Sequence, residues 1–458
     1  MIRYLVVALG IALWVFTLLH DRPLFLDEAN LARNLYDRSP GGLFSPLDHE
    51  QYAPPLFLLL AKGLAGLFGY HEWVLRLPAF LGGLIAIAAL GAGATSLKLG
   101  KWGVLPLALL FVNPTVLRYV TEFKPYGLDL GLAAALIWAH LRWPSRRQFA
   151  WLAAGIVLPW LSLPSVFVLA AIGMLRFWRE RSFAFVAGAW LLSFGLLYLT
   201  VLRPAVGSEY LNAYHAQYFL LPPSGTNGPA HLLPRILALV RLAFGYTVVS
   251  LLCGAATVGY GLSVPAVRRY GWLLAPLAIA LLASLFRLYT LLDRLLLFTL
   301  PGIWLFAALS VQHVYARWSP WPRKLLTVCI LLTLGGANIH RAILTPYRYS
   351  DGRWLASLTE TAKGNYVADA SAVPVLDYYR RVKPGRQHDV ALRRPEVDGE
   401  LPWADGRVLF DNVGDPGIDR EIKKYRQRAT ERGCHTTYEE KTGSGSLRIK
   451  CPARNYDR

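Results

Sequence analysis

The chain has 458 residues, of which 54% are hydrophobic and only 17% charged, with a formal net charge of +19. Soluble domains carry about 25% charged residues, so a soluble enzyme is excluded and the bilayer is the expected solvent for most of this chain. The positive charge does not argue for nucleic acid, because many Lys and Arg fall in short turns between apolar runs, where they set membrane orientation.

The first apolar segment, 4–20, has no small-residue cleavage site and reads as a retained span. It runs directly into FLDEANLARNLYDRS at 25–39, which sets Asp27 beside Glu28 at the membrane exit. The loop from about His20 to Arg76 also holds Asp21, Asp37, Asp48, Glu50 and Glu72. A loop of this length usually has a function. Leu31 and Leu35, at i and i+4 beside Arg33 and Asn34, predict a helix over Asp27–Asp37. The stretch PPLFLLLAKGLAGLF at 54–68 is too short to span and carries Lys62 in its middle. Further spans are expected at 77–97, 102–119, 125–142, 149–162, 163–178, 183–202, 236–262, 272–290, 294–315 and 324–343, eleven in all.

With Arg3 inside, the turns carrying Lys98, Lys101, Arg142, Arg146, Arg147, Arg176, Arg179, Arg181, Arg268, Arg269, Arg317, Arg323 and Lys324 all fall on the cytoplasmic side. A span at 54–68 would move every one of them outside, so that segment is expected to lie in, or dip into, the outer interface. Arg76, Arg118, Lys124 and Arg294 then stand at outer mouths of spans, where orientation does not call for them, with Glu122 and Asp293 beside two of them. Four such cations and an acidic first loop point to a site that holds an anion, at that depth a lipid phosphate, next to a carboxylate. His49, in LDHEQYAPPL, is the one histidine of the first loop flanked by carboxylates. Tyr210, Tyr214 and Tyr218, at i, i+4 and i+8 of the outer loop 203–235, read as a packing stripe. The chain has no GxxxxGK[ST], HExxH, CxxC or D-x-D, which disfavours P-loop nucleotide use and zinc proteolysis. No metal site is read, and a divalent cation is the one cofactor left open.

After Leu344 no apolar run reaches span length, and 345–458 reads as a small extracytoplasmic α/β domain. RWLASLTETAK and VPVLDYYRR are expected as helices, NYVADA and RVLFDNV as strands, and a further helix runs from Asp415-Pro416 to Gly433. CHTTYEEKTGSGSLRIKC predicts a hairpin around Thr442-Gly443, with Thr436 opposite Ile449 and Tyr438 opposite Leu447. That register sets Cys434 against Cys451, and opposed cysteines outside the cytosol are expected to be bonded. Cys253 and Cys329 lie within spans as packing residues.

Five blocks together resemble the C-type (GT-C) membrane glycosyltransferases, in particular the bacterial branch related to protein mannosyltransferases and the lipid A aminoarabinose transferase. They are LDEA (26–29), PPLF (54–57), GYHEWVLRLPAF (69–80), NPTVLRYVTEFKPYGLDLGLAAAL (113–136) and DRLLLFTLP (293–301). The resemblance implies an all-α polytopic membrane domain over 1–344, of about eleven transmembrane helices with interfacial helices in a long first outer loop, ahead of the α/β domain. It implies transfer of a hexose or pentose from a polyprenyl-phosphate carrier to a glycan, lipid or protein acceptor on the outer face of a bacterial inner membrane. The family's first-loop acid falls on Asp27 as base, with Glu28 beside it, and a second acid falls on Glu122. Its phosphate-binding cations fall on Lys124 and Arg294, with Arg76 and Arg118 as further candidates, and His49, Tyr126 and Asp293 are the expected substrate contacts. Two positions depart from the family: Ala53 stands where the aminoarabinose-type enzymes place Lys before Pro-Pro, and Leu295 where a Tyr is usual. The alternative from another class, a transporter or flippase of lipid-linked sugars, would favour internal repeats and midplane ionisable residues. No repeat is apparent, and most charges sit at span ends.

Overall fold

The computed structural model describes residues 2–20, 22–143, 147–206, 209–221, 228–245, 247–335, 350–361, 365–382 and 405–452. The chain begins with α1 (Ile2–Leu19), α2 (Leu26–Asp37), α3 (Pro55–Phe68) and α4 (Glu72–Ser96), followed by α5 (Val104–Val112), α6 (Pro114–Val120) and α7 (Tyr126–Arg142). By length and composition, four helices among the described residues can cross a membrane: α1, α4, Phe183–Leu202 and Asp293–Arg317. Two bent pairs raise the number to six if each is one span, and α3, Gln148–Leu161 and Gly271–Leu285 are shorter apolar helices. The architecture is therefore a largely helical, multi-pass membrane fold.

Two segments expected as single spans are bent, each for a local reason. Within 102–119 the chain turns by 68° between α5 and α6. Pro114 has no N–H to continue a helix, and the Asn113 side chain accepts from the backbone N–H of Thr115 and Val116, so a new helix starts there. Within 236–262, Leu232–Phe244 meets Val248–Ser263 at 91°. Gly245 adopts φ +107°, and the Thr247 hydroxyl caps the second helix by accepting from Ser250 N. The first break brings residues 121–125 to the first turn of α2, where Phe123 N donates to Glu28.

Backbone contact between α4 and α7 holds the same region together. A Cβ on Gly131 would lie 2.1 Å from the Gly82 carbonyl oxygen, and one on Gly82 would lie 2.3 Å from Leu128 Cα. Glycine at these positions lets the two backbones touch.

The C-terminal unit is a four-stranded sheet of β1 (Asn365–Ala368), β2 (Asp405–Asp411), β3 (His435–Lys441) and β4 (Ser444–Lys450), in the order β1-β2-β4-β3. β1 and β2 are parallel and the other pairs antiparallel. Thr436 pairs with Ile449 and Tyr438 with Leu447, the expected register. Thr442 and Gly443 turn the hairpin at φ +42° and +72°, the conformation a two-residue loop needs. Cys434 and Cys451 are joined at its open end. One face of the sheet packs Val408, Phe410, Leu447 and Ile449 against Ile422 and Tyr425 of the helix Pro416–Glu431. In a second core, Leu355, Val375, Leu376 and Tyr378 pack with Leu24, Leu31, Leu35 and Phe57 of the N-terminal region. Polar contacts pin this join: Tyr379 Oη accepts from Leu24 N and bonds Glu72 Oε1, each at 2.9 Å, and Tyr378 Oη donates to the Tyr70 carbonyl at 2.8 Å.

Candidate active site

Helix α2 separates the two adjacent carboxylates. Leu26, Asp27, Asn30 and Arg33 fall on one face and line a cavity of about 610 Å³, as helical spacing requires. Glu28 is turned to the opposite face with Ala29, Leu31, Ala32 and Leu35, all of them buried. There its Oε1 accepts from Arg76 Nε at 2.9 Å and from Phe123 N at 2.7 Å, and its Oε2 accepts from Arg76 Nη2 at 2.8 Å. Arg76 spends its remaining donors on the carbonyls of Arg22 and Pro23. Both side chains are almost fully enclosed, at 2% and 1% exposure. Burial alone would raise the Glu28 carboxyl, but the Arg76 charge and hydrogen bonds, with Arg22 and the Phe123 N–H, hold it below the ordinary value. This pair joins α2, α4 and the 121–125 segment; it does not face the cavity. Glu28, expected as a catalytic acid, and Arg76, expected as a phosphate ligand, are thus engaged with each other and absent from the cavity lining.

The second expected acid is also internal. Glu122 accepts from Arg118 Nε at 2.8 Å, and its carboxyl is raised by burial against the opposing pull of Arg118. Arg118 lies over the Tyr119 ring, 4.9 Å from its centroid. Neither residue lines the cavity, and Asp293, which opens the turn Asp293–Thr299, does not line it either.

The cavity does gather Asp27, His49, Lys124, Tyr126 and Arg294. Among the described residues Asp27 has no hydrogen-bond or ion-pair partner, and Lys124, Tyr126 and Arg294 are its electrostatic neighbours. Lys124 is buried and donates to Gln51 Oε1 at 2.8 Å. Burial pushes its ammonium below the usual value, with Asp27 pulling the other way. His49 and Glu50 both hold a left-handed backbone, at φ +63° and +53°. Such strain in non-glycine residues collects at binding sites. Ala53 lies under this strap, buried at 2% exposure and outside the cavity lining. Among the described residues no group of three or more His, Cys, Asp or Glu could hold a metal ion.

Several lining residues escaped the sequence reading. Tyr214, expected in a packing stripe, faces the cavity together with His215 and Tyr289. Ala370, Val373 and Pro374 close it from the C-terminal unit, whose Asp377 lies 2.5 Å from Arg33. Asp129 lines it from the first turn of α7. A carboxylate inside an apolar span was the available signal for Asp129; the tyrosines and the C-terminal contacts had none, because they depend on long-range packing.

No family model matches the chain, and no curated protein matches it in sequence. Its architecture does match solved structures of ArnT from Cupriavidus metallidurans. The form bound to undecaprenyl phosphate aligns at TM-score 0.53 and 14% identity over 99% of both chains. The apo form aligns at TM-score 0.51 and 14% identity over 97% of both chains. From one end to the other, then, this chain has the fold of ArnT, and at this identity the likeness is one of fold.

Proposed function

We propose that the protein is an integral-membrane glycosyltransferase of the GT-C type that takes a sugar from a polyprenyl-phosphate donor. The supporting observation is the convergence of an unpartnered carboxylate, Asp27, with the cations Lys124 and Arg294 in one cavity. The fold adds to it, since ArnT is bound to undecaprenyl phosphate in one of the matching structures. On this reading the protein is a multi-pass protein of the bacterial inner membrane with a cytoplasmic N-terminus. The residues after Leu344 form an outer domain that roofs the site.

The chemistry follows from the charges. The bond between the anomeric carbon and the phosphate oxygen breaks, and the phosphate leaves with the electron pair. Lys124 and Arg294 stabilise the charge that develops on it. The transition state is oxocarbenium-like, as in glycoside hydrolysis. The acceptor oxygen bonds to the anomeric carbon while its proton passes to Asp27. Lys124, reaching in from the turn that precedes α7, takes the place of the cation that Ala53 lacks.

The test is sugar transfer by the purified full-length protein from a polyprenyl-phosphate sugar, paired with donor binding. Asp27→Asn keeps the shape of the side chain and removes the proton acceptor, so transfer should fall on the order of 10²–10⁴-fold with donor binding little changed. Wild-type transfer by this variant would remove Asp27 from the mechanism. Movement of donor across the bilayer without any transfer product would reassign the protein as a flippase.

A further inference from the structure

The cavity also includes a polar pit, lined by Asp129 and Tyr52, for which the transfer chemistry has no use. Asp129 lies in the first turn of α7, three residues after Tyr126, whereas Lys124 precedes the helix; at helical rise Asp129 stands about 4.5 Å farther along the axis than Tyr126. It is 4% exposed and lines the cavity; the Ser162 hydroxyl is its one polar neighbour, and its Oδ1 is otherwise without a hydrogen-bond partner among the described residues. The Tyr52 hydroxyl, on the strap that follows His49 and Glu50, lines the same cavity and is likewise buried without a partner. Tyr52 and Asp129 are electrostatic neighbours, and burial together with the Asp129 charge keeps the Tyr52 phenol protonated. Tyr289 borders the pit but has committed its hydroxyl proton to the Leu295 carbonyl at 2.7 Å.

A buried acceptor and a buried donor left unpaired in one cavity are costly unless a ligand or water completes them. An acceptor oxygen there selects a group that donates a hydrogen bond. Lys124 and Asp129 line the same cavity, so a donor whose phosphate meets Lys124 can present its sugar ring to Asp129. Resting on the transferase reading, we infer that Asp129 and Tyr52 form the recognition site for a hydrogen-bond-donating substituent, hydroxyl or ammonium, on the ring of the transferred sugar. Discrimination between sugars is thereby separated from the binding of the carrier phosphate. A site that must satisfy buried polar groups rejects an analogue lacking the partner far more strongly than an apolar pocket rejects a missing methylene.

The experiment compares binding of three probes to the full-length protein in lipid nanodiscs. They are polyprenyl phosphate alone, the same carrier bearing a neutral hexose, and the same carrier bearing an amino hexose. The wild type should bind at least one sugar-bearing probe more tightly than the bare carrier. Asp129→Asn and Tyr52→Phe, both close in shape to the native side chains, should each weaken that gain by about 10- to 100-fold and leave bare-carrier binding unchanged. A larger loss for the amino hexose in Asp129→Asn identifies an ammonium as the partner, and equal losses identify a hydroxyl. Equal weakening of all three probes, unchanged binding of all three in both variants, or no gain from either sugar in the wild type would each overturn the inference. Failure of the wild type to bind the bare carrier would instead overturn the donor reading on which it rests.

Discussion

Replacing Glu28 by Gln separates the two neighbouring carboxylates by what each one loses. The change removes the charge that compensates Arg76, a guanidinium at 1% exposure that makes two hydrogen bonds to Glu28. Breaking a buried ion pair by deleting one partner costs about 3–5 kcal/mol, and the bond from Phe123 N to the same carboxylate argues for the upper part of that range. Its depressed carboxyl value also fixes the pH dependence. The stability it contributes is present above the ordinary Glu value and is lost as the pH falls through the lower folded-state value. The assay is thermal unfolding of the purified full-length protein, run beside sugar transfer at a temperature where all variants are folded. Glu28→Gln should melt well below the wild type. The double variant Glu28→Gln, Arg76→Met should recover part of the loss, because it no longer strands a buried cation. Asp27→Asn should melt with the wild type and fail in transfer. If Glu28→Gln melted normally and lost transfer while Asp27→Asn transferred sugar, the assignment of base and strut would have to be exchanged.

Three further outcomes are expected. Lys124→Ala and Arg294→Ala should weaken donor binding as well as turnover, each by more than tenfold, as expected for losing a charge-assisted bond of about 1.5–3 kcal/mol; a fall in turnover with donor affinity intact would contradict phosphate binding. Asp411, fully buried at the end of β2, has its carboxyl pushed up to about 7 by burial, against hydrogen bonds from Ser350 and Ser444. It therefore stabilises the C-terminal unit below the ordinary Asp value and loses that contribution as the pH rises to about 7. Asp411→Asn should remove a slope of up to about 1.4 kcal/mol per pH unit between pH 4 and 7, read by hydrogen exchange in β2 and β4; an unchanged slope would refute it. Replacing both Cys434 and Cys451 by Ser should cost about 2–5 kcal/mol, seen as earlier proteolysis of the C-terminal unit while membrane insertion is retained.

The hydrophobic runs and basic turns by themselves determined that this is a multi-pass membrane protein, because the bilayer admits few other placements for such segments. Two-residue alternation and turn chemistry determined the register of the terminal hairpin, since a slip by one residue would expose Ile449 and Leu447. Even the fate of Glu28 was partly written locally: it lies three and seven residues before Leu31 and Leu35, on the apolar face of α2. What satisfies it there was not, since Arg76 is 48 residues away. Tertiary structure alone decided that Arg76, Arg118 and Glu122 are spent on internal pairs while Lys124 and Arg294 face the cavity. Outer-end cations look alike in sequence. Which of them reaches a ligand depends on helix rotation, and rotation is set by long-range contacts such as the Gly82–Gly131 crossing and the seat of the C-terminal unit on α2.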